Sequence, residues 1–488
     1  MRLLRQTASA MTPFFSAEYN SGGKMLRREF LKSSSLAAGA TMVRANPLSA
    51  LQTSVISGKL KSIRIKGVDS NFEREPLIRP FGFKGGFMSE IWQTATLMES
   101  ESGHRKVGLC TQNVLWSDSA VFAAQSESGG NALMYALAEY ALKRLKGQSF
   151  QHPIQLLDDT LGDVLEYGKK VTGNPGLRKT FALNALVGFD NAAWLIYAAE
   201  HGIDDFDALI PEKYKPALSH RNERVISAPS IAFTIPVAEI KQAADDGFFF
   251  IKIKLGQPGA QDEMLRLDME RLTQIHKTIG HYETSHTENG KLPYYFDMNG
   301  RYQNKETLMR LIDHSRKIGA FGQIAVLEEP FPEDLKIDVS DIPLRLAADE
   351  AAHTDEDALE RIQMGYKSIA LKAIAKTLSM TMKIAQVAHE HNIPCFCADL
   401  TVNPILQDWN KNIAARLSPL PGVKGGLMEA NGHQNYKNWE KMKSYHPRAG
   451  AMWTTWKDGA FPLNDEFYRS GGGIFLPSGH YDALFGKA

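Results

Sequence analysis

The chain has 488 residues, 43% of them hydrophobic, with 56 Lys and Arg against 55 Asp and Glu and a formal net charge of +1. So even a balance argues against nucleic acid or an anionic membrane surface as the main partner, because either needs a basic face. The apolar content argues against a disordered chain. Cys110, Cys395 and Cys397 cannot form a disulfide framework and lack zinc-finger spacing. No apolar run reaches the roughly 18–20 residues of a spanning helix, so no stable membrane anchor is expected.

In chain order, residues 1–50 read as an upstream segment and an export signal. Arg27-Arg28, with Phe30, Leu31 and Lys32, precedes a mild apolar stretch from Ser33 to Val43 and small residues to Ala50. This resembles a twin-arginine signal, an address read by the translocation machinery, and predicts a periplasmic protein. Residues 58–222 read as an α+β domain. Strands are predicted over 60–68, 91–99 and 107–115, interrupted by Gly82, Gly85 and Gly86, and helices over 131–146, 154–170 and 180–201.

From 223 to 450 short apolar runs alternate with amphipathic segments, the pattern of βα units around a parallel sheet; their number favours a barrel. Residues 451–488 form a final segment. In a barrel, chemistry sits where strands end. Here consecutive runs end in Lys252-Ile-Lys254, Asp297-Met-Asn299, Glu328-Glu329-Pro330, Asp349-Glu350 and Lys372. Asp297, Glu328 and Asp349 on adjacent strands would aim hard oxygen ligands at one point, an arrangement that predicts Mg²⁺. Lys252 and Lys254 lie two apart and share a face. Adjacent ammonium groups and burial should lower their pKa, so that one serves as a base near neutral pH. Lys372 would approach from the opposite side. Two such bases can exchange a proton at an α-carbon while the metal stabilises the enediolate.

These motifs together resemble the enolase superfamily, in its mandelate racemase/muconate lactonizing enzyme family, over residues 58–488. The muconate lactonizing enzyme and dipeptide epimerase subgroup is the nearest in pattern. The resemblance implies an α/β fold, a modified (β/α)₇β TIM-type barrel under an α+β capping domain, with residues 451–488 returning to the cap. It implies Asp297, Glu328 and Asp349 as ligands of one Mg²⁺ per site, with Mn²⁺ as a substitute. Lys254 and Lys372 become the acid/base pair, Lys252 tunes Lys254, and Asn299 and Glu350 support the ligands. Cap loops 80–88 and 113–116 are expected to close the site. Superfamily relatives are often oligomers, so a homo-oligomer is an expectation too.

The predicted activity is a racemase or epimerase, an isomerase acting on a carboxylate substrate that is an amino-acid derivative or dipeptide. The alternatives are a dehydratase or cycloisomerase with one lysine as base, and a binding protein without turnover. Two departures bear on substrate. Lys376-Thr-Leu-Ser379 stands where the family often has Gly-Gly, and the eighth strand reads Glu429-Ala-Asn431-Gly-His433, not Asp-x-Asp. Glu429, Asn431, His433 and Trp116 are the candidate substrate contacts. Cys395-Phe-Cys397 on the seventh strand, where acid-sugar dehydratases use a His, weakens the dehydratase reading. Cys395 and Cys397 read as packing residues, and His389-Glu-His391 as a solvated helix end.

Overall fold

The computed structural model describes residues 61–84 and 86–486; the export-signal reading lies outside them. Two sheets organise the chain. The first has four strands in the order β3-β2-β1-β4, with β1 Ile63–Phe83, β2 Gly86–Ser100, β3 Arg105–Gln112 and β4 Ser149–Phe150. Its antiparallel register runs from Ile65↔Ser100 to Phe83↔Gly86, so β1 and β2 form one long hairpin. The hairpin turns at Lys84, which takes a left-handed φ of 49°.

Helices Ser119–Leu145, Pro153–Thr172, Lys179–Ala185 and Val187–His201 pack on this sheet. The helix predicted over 180–201 is thus two helices, bent by 47°. The third strand stops at Gln112 because Asn113 caps the short helix Val114–Ser117, its side chain accepting from Trp116 N–H. Helices Lys179–Ala185 and Val187–His201 lie directly against β3: Asn191 donates to the Leu109 carbonyl at 3.0 Å and Asn184 to that of Thr111 at 2.9 Å. Gly108 permits this approach, since a Cβ there would run into the Gly188 carbonyl and the Ala192 backbone.

The second sheet has ten strands in the order β14-β5-β13-β12-β11-β10-β9-β8-β7-β6. Its members are β5 Arg224–Ala228, β6 Ser230–Ile231, β7 Ile251–Lys254, β8 Tyr294–Asp297, β9 Ile324–Glu328, β10 Leu346–Ala348, β11 Ser368–Leu371, β12 Cys395–Cys397, β13 Gly426–Glu429 and β14 Ala460–Pro462. Only β14 runs antiparallel, along β5. Pro229 alone separates β5, which pairs with β13, from β6, which pairs with β7. The sheet therefore curls round upon itself as a barrel. Proline cannot donate to the ladder, and its carbonyl takes the Lys252 N–H at 2.9 Å instead.

Helices follow most barrel strands, started by local caps: Asn304 for Lys305–Lys317, a Thr354/Asp357 capping box for Asp355–Gln363, and Asn403 before Pro404 for Pro404–Arg416. The connection from β9 to β10, residues 329–345, carries no helix, which shortens the full set of barrel helices that the resemblance implies. Downstream of β14 the chain meets the first sheet. Asn71 donates to the Leu484 carbonyl at 3.1 Å, and His480 Nε2 lies 2.7 Å from Glu73.

Period-two alternation on the barrel strands decides what faces inward. Ile226, Phe250, Tyr295, Val326, Ala347, Ala370, Phe396 and Leu427 belong to one buried apolar cluster inside the barrel. Two residues further along six of those strands come Lys252, Asp297, Glu328, Asp349, Lys372 and Glu429. An apolar plug thus underlies a layer of charge. At the Gly108 contact, Gly108→Ala should destabilise the protein by about 3 kcal/mol, because backbone atoms cannot yield as side chains do. Denaturant unfolding checks this; an unchanged midpoint would remove the close contact from the account.

Candidate functional site

The ladder itself brings the charged residues together. Lys254 pairs with Asp297 and Asp297 with Glu328, while Ala347 pairs with Glu328 and places Asp349 two residues beyond. Lys372 follows β11, and Glu429 ends β13. A cavity of about 30 Å³ lies over this layer, lined on the barrel side by Lys252, Lys254, Asp297, Asn299, Asp349, Glu350, Lys372, Asp399, Glu429 and Asn431. Phe81, Phe83 and Met88 of the long hairpin, with Asn113 and Trp116, line it from above, as expected of loops 80–88 and 113–116.

Lys252 is the hub. Its ammonium lies 2.9 Å from Asp297, 3.0 Å from Glu328 and 3.0 Å from Glu429, with all of these side chains buried. Lys254 shares the same Asp297 oxygen at 2.5 Å and donates to Asn299 Oδ1 at 3.0 Å. Across the cavity Lys372 lies 2.5 Å from Asp349 and 4.4 Å from the centre of the Trp116 ring. Asn299 Nδ2 donates to Glu350 at 3.1 Å, and Tyr295 donates its hydroxyl proton to Glu328.

The charge environment corrects one expectation. Burial works against the charge on Lys252, but Asp297, Glu328 and Glu429 hold its pKa well above the usual lysine value. The expected mutual lowering by adjacent ammonium groups does not govern Lys252, because surrounding carboxylates outweigh the neighbouring cations. Lys372 is likewise raised: burial opposes its charge, and Asp349 and Glu350 overcome that opposition. Asp297 and Asp349 are held low, their lysine partners prevailing over desolvation. Glu328 is pushed up by burial, with Asp349 and Glu429 adding to it. Glu329 rises to about 8, through burial and then the charge of Glu350.

A metal could be held here. Carboxylate oxygens of Glu328, Asp349 and Glu350 all lie within 4.8 Å of one another. Glu350 Oε2 is buried without a hydrogen-bond partner, and Asp349 Oδ1 lies 3.2 Å from the Lys376 ammonium. Asp297, expected in the same set, instead gives its oxygen to both Lys252 and Lys254. Buried, converging hard oxygens fit a divalent cation.

Sequence reasoning missed three participants. Lys376, fully buried, donates to the Asp349 carbonyl at 2.6 Å and lies 3.2 Å from its carboxylate. Its position one helical turn beyond Lys372 was the available signal. Lys84 reaches from the hairpin turn to Glu350 at 2.9 Å and to the Trp116 carbonyl at 3.0 Å. Asp399, just past β12, is pushed up to about 7 by burial and by Glu429. The candidate contacts Glu429, Asn431 and Trp116 line the cavity, but His433 does not. It is packed against Trp456 and Phe248, with ring centroids at 4.3 and 5.8 Å, and burial lowers its pKa to about 4. Its place in the helical turn Gly432–Asn435 turns it away from the mouth.

Residues 236–420 match the family model described as enolase C-terminal domain-like. No curated protein matches the chain. Similar solved structures include a mandelate racemase/muconate lactonizing protein from Herpetosiphon aurantiacus, 14% identical, with a TM-score of 0.57 over 82% of this chain and 96% of that one. A dipeptide epimerase from Enterococcus faecalis V583, complexed with Mg and L-Leu-L-Tyr, is 15% identical, with a TM-score of 0.54 over 77% and 92%. An L-talarate dehydratase from Polaromonas sp. JS666, complexed with Mg and L-glucarate, is 16% identical, with a TM-score of 0.54 over 82% and 93%. The chain has the enolase-superfamily fold: a curled barrel sheet beneath an antiparallel cap.

Removing the hub should leave three buried carboxylates facing each other. Lys252→Ala should therefore cost about 3–5 kcal/mol of stability in chelator-treated protein, measured by denaturant unfolding. A loss under about 1 kcal/mol, the range of an exposed pair, would contradict the hub assignment.

Proposed function

We propose that this chain is a divalent-metal-dependent enzyme that removes and returns the α-proton of a carboxylate substrate, as a racemase or epimerase of amino-acid derivatives or dipeptides. The supporting observation is that Lys254 and Lys372 line one cavity, with acids from the intervening strands between them. Glu328 and Asp349, joined by Asp297 once it releases the lysines that hold it here, would bind Mg²⁺, or Mn²⁺ in its place, with Glu350 and Asn299 braced behind them. When bound, the cation would draw charge from the substrate carboxylate and make the adjacent C–H more acidic.

The chain's own residues do the rest. Lys254 Nζ accepts the proton on one face, and Lys372 Nζ, held as an ammonium by Asp349 and steadied on Trp116, delivers one on the other. Phe81, Phe83 and Met88 exclude water from the exchange. A second reading draws on the raised pKa of Lys372: it stays a cationic support, Lys254 is the one base, and the reaction ends in elimination or cycloisomerisation.

Incubation in D₂O with a panel of dipeptides and N-acyl amino acids separates these readings. Epimerisation should place deuterium at the α-carbon with no change of skeleton, and Lys254→Ala or Lys372→Ala should slow it roughly 10²–10⁴-fold. Inversion without exchange would sink the two-lysine mechanism, and loss of water would select the second reading. Mg²⁺ should also raise the melting temperature of the wild type, and Asp349→Asn or Glu328→Gln should abolish that rise. A rise that survives both substitutions would remove these carboxylates from the metal site.

Export through the twin-arginine machinery belongs to the same proposal and rests on Arg27-Arg28 and the stretch that follows. Replacing both arginines by lysine should keep the protein in the cytoplasmic fraction. Unchanged periplasmic recovery would count against it.

A further inference from the structure

Most acids lining the cavity face an ammonium group of the chain itself. Asp297 faces Lys252 and Lys254, Asp349 faces Lys372 and Lys376, Glu350 faces Lys84, and Glu429 faces Lys252. Asp399 is the exception. It lines the same cavity at 7% exposure, and among the described residues it makes no ion pair. Its partners are neutral peptide donors: Asn431 N–H at 2.8 Å on Oδ2, and Val402 N–H at 3.4 Å on Oδ1.

A carboxylate in this position is expensive to keep charged, the more so with Glu429 beside it, its carboxylate taking the Asp399 N–H at 3.0 Å. Yet the local backbone is built to present it. Asn431, which donates to Asp399, is itself fixed by the Ser230 N–H at 3.0 Å on its Oδ1. Thr401, two residues on, is held at φ 57°, a left-handed conformation that a β-branched residue adopts only when its surroundings impose it. The acid is thus rigidly placed, faces the cavity and lacks a counter-charge.

We infer that Asp399 receives a protonated amino group of the substrate. The seventh strand would then supply the anionic contact that the eighth strand, with Glu429 committed to Lys252, does not. The substrate class is accordingly a zwitterion, a carboxylate at the reacting carbon with a free amine elsewhere in the molecule. This assignment rests on the α-proton reading for what the cavity binds, but its test does not depend on turnover.

Calorimetric binding in the presence of Mg²⁺ compares dipeptides having a free amino terminus with their N-acetyl counterparts. The wild type should favour the free amines by about tenfold or more, as a charge-assisted contact allows. Asp399→Asn should erase that preference while leaving N-acetyl affinities unchanged. No preference in the wild type, absence of binding included, overturns the inference, as does a preference that survives in Asp399→Asn. If the variant does not fold, the wild-type comparison decides alone. Absence of α-deuterium exchange alongside an intact amine preference would reject the reaction and leave the amine contact standing.

Discussion

The constraint on which the structure depends is the cost of burying charge inside a barrel. Alternation along parallel strands leaves no choice about which residues face inward. Above the layer of Phe250, Tyr295, Val326 and Ala370, the next inward positions hold Lys252, Asp297, Glu328 and Lys372. None of these could be tolerated alone, since an isolated buried ion costs several kcal/mol. They persist because each contacts an opposite charge, with Lys252 satisfying acids from three different strands. The fold and the site are therefore one problem. The register that closes the barrel is also the register that pairs the charges.

That coupling explains what could be read from the sequence. Apolar runs ending in Lys-x-Lys, Asp-x-Asn, Glu-Glu-Pro and Asp-Glu mark both the strands and their inward faces, because period two is visible in a linear text. The convergence of Glu328 and Asp349 follows from the same pattern. What escaped lies where the period breaks. Lys84 sits in a hairpin turn whose reach to Glu350 depends on how the cap folds over the barrel. Asp399 lies beyond the last paired residue of β12, where turn geometry and not alternation sets direction. His433 shows the converse. Proximity in sequence to Glu429 suggested a place at the mouth, but one helical turn carried it into an aromatic cluster. The lysine electrostatics were misjudged for a related reason. Two adjacent cations are visible in the sequence, whereas the acids that outweigh them come from distant strands.

The cap is joined to this charge layer. Lys84 places one ammonium between Glu350 of the barrel and the carbonyl of Trp116, whose ring in turn lies against Lys372. One side chain therefore links the hairpin, the Val114–Ser117 turn and the acid cluster, all in a buried setting where ion pairs are little screened. In this arrangement Phe81, Phe83 and Met88 of the hairpin lie over the cavity. A hairpin displaced from this cavity would part Lys84 from Glu350. A cation held by Glu328 and Asp349 beside Glu350 would act on the same carboxylate that Lys84 holds. Metal occupancy and cap position are then two effects on a single pair of oxygens, Oε1 held by Lys84 and Oε2 without a partner. Through Glu350, the charge balance of the barrel also bears on how the cap is held.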